Sequence, residues 1–530
     1  MKTAQATAPR IEFVTAVALS LWVVALHLVF LFHAGPLWRD EVGTIDFAAM
    51  PTLGDIWHNL QYDNFPPLFV ALARVWTLAG LSSDFNYRTL GFLIGMGTLA
   101  VLWYGAYQLG GKPPLLALAL YAVNPLAISV GDAMRPYGLG IILNLLTLAL
   151  FWKFVQSPSR KNFVWAAIGA VLSVQCLYQN AFFVCAFTVG AWVVTLARRD
   201  RTTALKAGWI ALLAALSLLP HLGNLHKARD WAVITTSVVH LAPFVKALAA
   251  ALQADGRWMT PVWLGLGVVG LTVAATDGIK LRRWNMVYSG VLLMVGAALY
   301  LAFLAKLGMG PAPWYFLLLL ASAALVIEAI FSGIDLGRMQ GGRALPALLL
   351  AAACLPACYR GMEVRESNVD LVAAALKEAV QPGDMVLVYP WYYGVSLQRY
   401  LDTNRWETIP PMAELRIHRY DLVKKAILAQ ISVQPLLEKA KATLQAGHAL
   451  FIVGDFVAPQ AGRPPPAIPP YHGGLDMADT RIFYSWMIQI SGMAQQHATA
   501  WAWVPAPVPG GYPVNVFENL PVLIIRGWHE

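Results

Sequence analysis

The sequence predicts a polytopic α-helical membrane protein with a C-terminal α/β domain, on three observations. Apolar stretches long enough to cross a bilayer recur through the first two thirds of the chain. Only 13% of residues are charged and 58% are hydrophobic, with a mean hydropathy of +0.56, whereas soluble proteins carry roughly 25% charged residues. Beyond about residue 360, short apolar strands alternate with amphipathic helices, the pattern of a layered α/β unit. The predicted division is therefore a membrane domain over 1–360 and an extracytoplasmic domain over 361–530.

Crossing a bilayer takes roughly 20 apolar residues. About eleven stretches qualify: 11–33, 88–108, 114–131, 136–156, 163–179, 181–197, 205–222, 258–277, 285–307, 313–332 and 344–360. Ile11 to Phe32 exceeds the apolar core of a cleavable signal and reads as a retained helix. Two shorter apolar segments, 41–51 and 66–81, fall between the first and second spans, the latter with Arg74 in its middle. Both are predicted to lie along the interface.

Loop charge sets the expected orientation. With Lys2 and Arg10 inside, the inner loops hold Lys112, Arg160-Lys161, Arg198-Arg199-Arg201, Lys280-Arg282-Arg283 and Arg338/Arg343, as the positive-inside rule requires. This accounts for most of the +9 net charge without nucleic acid as a partner. The C-terminal domain is then expected on the outer, periplasmic side of the plasma (inner) membrane. In that domain a helix is predicted over 367–380, a strand over 385–389, helices over 392–402, 420–430 and 434–446, and a strand over 449–453. A helix over 476–497 and a strand over 521–526 complete it. Four cysteines, all in apolar segments, form no metal knuckle or disulfide framework.

In a chain this poor in charge, acids and bases gathered at one membrane face point to chemistry on a lipid-borne substrate. Asp40 and Glu41 follow the first span directly, and Asp132, Arg135 and Tyr137 close the turn between two later spans. A guanidinium suits bidentate binding of a phosphate, although an Arg at a helix end also snorkels to headgroups. The loop after the seventh span adds His221, His226, Lys227, Arg229 and Asp230, an electropositive rim for an anionic lipid head. His33 and His58 are isolated, with no paired ligand spacing to support a metal. Transfer of a sugar from a polyprenyl phosphate fits this set. The leaving phosphate needs cationic stabilisation from Arg135 or the 226–229 cluster, and the attacking hydroxyl needs a base such as Asp40.

Four short motifs resemble the membrane glycosyltransferases of the GT-C fold, family 39, which includes protein O-mannosyltransferases and, in a sister group, lipid A aminoarabinose transferases. They are the Asp40-Glu41 pair in a long first outer loop and Asp63-Asn64-Phe65-Pro66-Pro67-Leu68-Phe69, similar to the family's HPPLYY segment. Arg88 opens the second span, and Ser129 to Leu139 is similar to S-x-E-A-R-x-Y-x-L. The resemblance covers roughly 10–340. It implies Asp40 as catalytic base with Glu41 beside it, and Asp132 and Arg135 as active-site residues near donor phosphate or acceptor. Asp63, Arg88 and Tyr137 are the further substrate-binding candidates. It also implies a polyprenyl-phosphate sugar donor, inversion at the anomeric carbon, and a glycan, lipid or protein acceptor. No cofactor is implied with certainty, and room is left for a divalent cation. Two positions depart from the family pattern: Phe65 replaces its His, and Trp314-Tyr315-Phe316-Leu317 replaces R-Y-F-L. Lys227, Arg229 or Lys306 then compensates for the missing Arg, or the donor is bound differently.

Two other classes compete. A ligase or polymerase using a pyrophosphate-linked glycan would also act at the outer face, but would place a large outer loop late in the helical part. A non-enzymatic transporter would place ionisable groups at mid-membrane, whereas the acids here cluster at one end.

Overall fold

The computed structural model describes residues 2–236, 240–254, 256–307, 312–334, 341–470 and 473–530. Arg338 of the expected inner loop lies outside them. Among the described residues, nine helices are long and apolar enough to cross a membrane, making this a multi-pass membrane protein. The first is α1 (Lys2–His33) and the last is Ala344–Met362.

The two other expected spans take different forms. Residues 160–176 form a helix of 17 residues, about 26 Å long at 1.5 Å per residue. The 114–131 stretch is not one helix. It runs as a short helical turn at Leu115–Ala117 and a wider π-type turn at Leu118–Ala122, then breaks at Val123. It restarts at Pro125–Gly131, where the Asn124 side chain accepts from the Ala127 amide at 3.0 Å. Asn124 and Pro125 together make a helix start, so an average over hydropathy overlooks the interruption.

The break sets up the turn that carries Arg135. Asp132 ends the Pro125–Gly131 helix, and Arg135 precedes Pro136, which opens the next span. Glycine allows this turn to press against the helix Asp84–Gly110: a Cβ on Gly91 would sit 1.9 Å from the Asp132 carbonyl oxygen. Gly91→Ala is therefore expected to cost about 1–3 kcal/mol by overpacking. A lowered unfolding temperature in detergent would show it; an unchanged one would mean that the turn is free to move.

Between the first two long helices lie α2 (Arg39–Ala48) and shorter helices at Leu53–Asn59 and Leu68–Leu78. The two apolar segments expected to lie along the interface are thus helices of 10 and 11 residues, too short to span. Arg74 is explained by its contacts: its Nη1 donates to the carbonyl of Ala48 at 2.9 Å and its Nη2 to that of Pro51 at 3.0 Å, closing the C-terminal end of α2.

After Met362 the chain builds a five-stranded sheet: β1 (Met385–Tyr389), β2 (Glu407–Thr408), β3 (Leu450–Gly454), β4 (Ala500–Trp503) and β5 (Val522–Arg526), in the order β2-β1-β3-β5-β4. β1 pairs parallel with β2 and β3, while β5 pairs antiparallel with β3 and β4. The fully buried β1 and β3 suit a sheet covered on both faces. The expected helix at 392–402 is shorter, Tyr393–Leu397.

This region does not stand apart from the membrane helices. Val386, Leu387 and Phe451 share one apolar core with Val42, Ile45 and Phe47 of α2 and with Phe69 and Tyr87. The burial of apolar surface therefore docks the sheet onto the first loop.

Candidate active site

The first turn of α2 presents two carboxylates that the structure treats differently. Glu41 is fully buried. Its Oε1 accepts from Arg88 Nη1 at 2.6 Å and from the Met134 amide at 2.8 Å, and its Oε2 accepts from the Trp38 amide at 3.2 Å. Arg88 is held further by Nη2 donating to Pro36 O at 2.6 Å and Nε to Gly35 O at 3.3 Å. Both side chains are buried, and each nitrogen and oxygen already has a protein partner. Glu41 and Arg88 thus form a buried ion pair that pins the start of α2.

The pin has a consequence for position. By holding the Met134 amide, Glu41 fastens the Asp132–Arg135 turn onto α2. Arg135 Nη1 then donates to Asp40 O at 3.2 Å and to Thr44 Oγ1 at 2.8 Å. Its guanidinium carbon lies 4.7 Å from the centre of the Phe65 ring, a cation–π distance. The Tyr137 ring meets Phe65 edge-on at 5.5 Å. Phe65 thus serves as a shelf for both neighbours. Arg135 Nε is buried and has no hydrogen-bond partner.

Asp40 keeps 32% of its side chain exposed, which separates it from Glu41. Its Oδ1 lies 3.7 Å from His418 Nε2 and 3.9 Å from Arg39 Nε. Burial pushes the Asp40 carboxyl up, but Arg135, His418 and Arg39 together hold it below the usual carboxylate value. Asp63 behaves in the opposite way: burial raises it, and Arg135 and the Asn64 amide oppose the rise without cancelling it. Both acids lie in the field of the same guanidinium.

The remaining candidates fall elsewhere. Asp132 is buried and faces α1, its Oδ2 2.7 Å from His27 Nδ1. Its hydrogen bond to His27 ties the turn before Pro136 to α1. Lys227 and Arg229 lie exposed on the helix Leu222–Ala232. That helix is fixed by Trp231, whose Nε1 donates to Gln61 O at 2.8 Å and whose ring stacks on Tyr420 at 5.5 Å. Lys306 is exposed at the end of the helix Trp284–Lys306. Among the described residues, no group of three or more His, Cys, Asp or Glu side chains is placed to hold a metal ion.

Sequence reasoning expects the C-terminal domain to cover the site, with stacking faces at 389–393, but does not identify the contacts by which it reaches α2. The Arg39 backbone amide donates to Glu518 Oε2 at 2.8 Å, and Nη1 donates to Phe517 O at 2.6 Å. The Arg39 guanidinium lies over the rings of Tyr392 and Tyr393 at 4.8 and 5.3 Å. Nothing local in the sequence marks His418, Glu518 or Tyr392 as partners of a residue near position 40. Trp314, which opens the segment standing in place of R-Y-F-L, lies edge-on to Trp38 at 6.5 Å and to Phe517 at 5.1 Å, so the segment reaches the site without its Arg.

Two glutamates at this joint carry a testable pH dependence. Burial lifts Glu518 to about 7 against the pull of Arg39, and lifts Glu366 to about 7 against Arg88, with Glu41 adding to the rise. Each starts from an ordinary value near 4.5. A raised carboxyl stabilises the fold fully below its unfolded pKa, and that contribution is lost as pH rises through the folded one. Unfolding temperature in detergent is therefore expected to be higher at about pH 6 than at about pH 8. Glu366→Gln and Glu518→Gln together should flatten the difference; a steeper slope in that variant would contradict it.

No family model and no curated protein matches the chain. Among solved structures it is similar to the Archaeoglobus fulgidus oligosaccharyltransferase in complex with Zn and sulfate, at 14% identity and a TM-score of 0.47 over 74% of this chain. The chain spans 62% of that protein's length. It is also similar to ArnT from Cupriavidus metallidurans, at 13% identity and a TM-score of 0.48 in the apo state, and 14% and 0.49 bound to undecaprenyl phosphate. In both, 82% of this chain and 92% of that one are covered. Identities and scores this low assign no residue and no substrate, so function is read from the site itself.

Proposed function

We propose that the chain is an integral-membrane glycosyltransferase that moves a single sugar from a polyprenyl-phosphate donor to an acceptor hydroxyl at the outer face. One observation carries the reading: a partly exposed, ionised Asp40 stands beside a buried Arg135 whose Nε has no protein partner. A base and an unsaturated cation at one mouth are what displacement of a phosphate by a hydroxyl requires.

Asp40 takes the hydroxyl proton as the acceptor oxygen attacks the anomeric carbon. The bond from that carbon to the phosphate oxygen breaks, and its electron pair leaves on the phosphate. Arg135 stabilises that charge, with Nη1 fixed by Asp40 O and Thr44 and Nε free to donate. Attack opposite the leaving group inverts the anomeric centre. Asp63 and Tyr137, both close to Arg135, orient the substrate. Glu41, Arg88 and the Asp132–His27 pair act by position, holding the turn that delivers Arg135. Lys227 and Arg229, exposed on the helix Leu222–Ala232, offer an electropositive surface for the anionic lipid.

The direct test is incubation of the purified protein, reconstituted in lipid, with radiolabelled polyprenyl-phosphate sugars and a cell-envelope extract. Label moving to an acceptor supports the reading; no transfer from any such donor removes it. In the same assay, Arg135→Ala is expected to raise KM for the donor and lower kcat, together at least ~100-fold in kcat/KM, the usual scale for one preorganised donor. Unchanged donor dependence would take Arg135 out of the phosphate site.

A further inference from the structure

The segments that leave the carboxyl ends of the three parallel strands all turn toward α2. β1 runs into Trp391, Tyr392 and Tyr393, two of whose rings lie against Arg39. β3 ends at Gly454, and the next residue, Asp455, accepts from the Tyr393 hydroxyl at 3.4 Å. The long segment after β2 carries His418 to Asp40. The chain passes from β1 to β2 on one side and then to β3 on the other. In open parallel sheets, the crevice beside such a reversal is where ligands bind.

His418 is held for this approach. Its ring lies nearly parallel to Tyr420 at 6.2 Å and steeply inclined to Trp391, also at 6.2 Å. Gly43 of α2 makes room, since a Cβ there would sit 3.3 Å from His418 Nδ1. The charged groups facing the ring are Asp40 and Arg39 from α2 and Arg135 from the turn before Pro136. Tyr420 is the titratable neighbour from its own side.

Building on the Asp40 reading, we propose that the C-terminal domain supplies part of the catalytic centre, with His418 as the positioning residue that takes the transferred proton from Asp40. The proton leaves the acceptor hydroxyl for an Asp40 oxygen as the new glycosidic bond forms and the phosphate departs. It then passes to the Nε2 lone pair of His418, with Nδ1 carrying the ring hydrogen, and from the imidazolium to water. Burial, with Arg39 and Arg135 adding to it and Asp40 opposing, holds His418 at about 4, so at neutral pH the ring is uncharged and able to accept. Asp40, held below the ordinary carboxylate value, gives up its proton readily. The Asp40 carboxylate is thus restored for the next turnover within the site.

The test uses the full chain in the polyprenyl-phosphate sugar assay. His418→Gln is expected to lower kcat about 100-fold with KM for the donor unchanged. His418→Ala should be equally slow and regain turnover on adding imidazole, in proportion to the neutral imidazole present. A structural role alone would not produce that rescue. His418→Gln with near-normal kcat overturns the proposal, and so does a folded His418→Ala that imidazole fails to rescue. If His418→Ala does not fold, His418→Gln decides. An inactive Asp40→Asn beside a fully active His418→Gln leaves the glycosyltransferase reading standing and removes only this step. A fully active Asp40→Asn overturns Asp40 as base, and this step with it.

Discussion

Asp40→Asn is expected to abolish sugar transfer, lowering kcat by at least ~10²–10⁴-fold, the range general-base groups contribute. The amide has the shape of the carboxylate and no useful basicity. The fold should survive the change, because the Asp40 side chain approaches its charged neighbours only at 3.7 and 3.9 Å. The link from Arg135 to position 40 runs to the backbone carbonyl, which the substitution keeps. Exposed and partly exposed pairs contribute roughly 0–1 kcal/mol, so expression and unfolding temperature should remain near wild type. Donor binding, measured with the labelled lipid, should also persist through Arg135. Turnover within threefold of wild type would falsify the assignment of Asp40 as base.

Arg88→Ala is expected to damage the protein in the opposite way, through stability before chemistry. It strips the counter-ion from the fully buried Glu41 and leaves the carbonyls of Gly35 and Pro36 without their donor. Removing one member of a buried pair costs about 3–5 kcal/mol, a large share of the roughly 5–15 kcal/mol that holds a domain folded. The result should be poor recovery from the membrane and a sharply lowered unfolding temperature. Replacing both partners, with Glu41→Leu and Arg88→Met, should recover part of the stability because no lone charge stays buried. Recovery should be incomplete, since the amides of Met134 and Trp38 lose their acceptor. An Arg88→Ala protein as stable as wild type would show that the pin carries no load.

The spans were legible because a bilayer imposes length and apolarity on each helix by itself. The 114–131 break was not, since it depends on Asn124 capping a new helix inside an otherwise apolar run. Two strands were missed for a related reason. β2 has two residues and β4 is largely exposed, so neither shows the buried apolar run that marks β1 and β3. At the site, motif order brought Asp40 and Arg135 to one face. It did not separate Asp40 from Glu41. Successive residues on a helix point about 100° apart, and only the packed structure shows that Glu41 meets Arg88 while Asp40 stays partly exposed. The Asp132–His27 contact was not legible either, because the two are 105 residues apart along the chain. His418 and Glu518 were beyond reach, since a tertiary contact between distant segments leaves no local mark.

At the far end of α1 from Asp40, Arg343 donates to Glu12 Oε2 at 2.6 Å and to Glu328 Oε1 at 2.5 Å, while Glu328 Oε2 accepts from the Leu116 amide at 2.5 Å. Glu12 and Glu328 both fall within membrane-spanning helices. During synthesis the first helix is made long before Arg343 leaves the ribosome, the two being 331 residues apart. Until then Glu12 has no arginine, and a lone carboxylate is costly in lipid. The nascent first helix therefore lacks this partner until one of the last helices arrives. Arg343 acts as a latch for assembly, and chains truncated before it should remain loosely inserted and readily degraded.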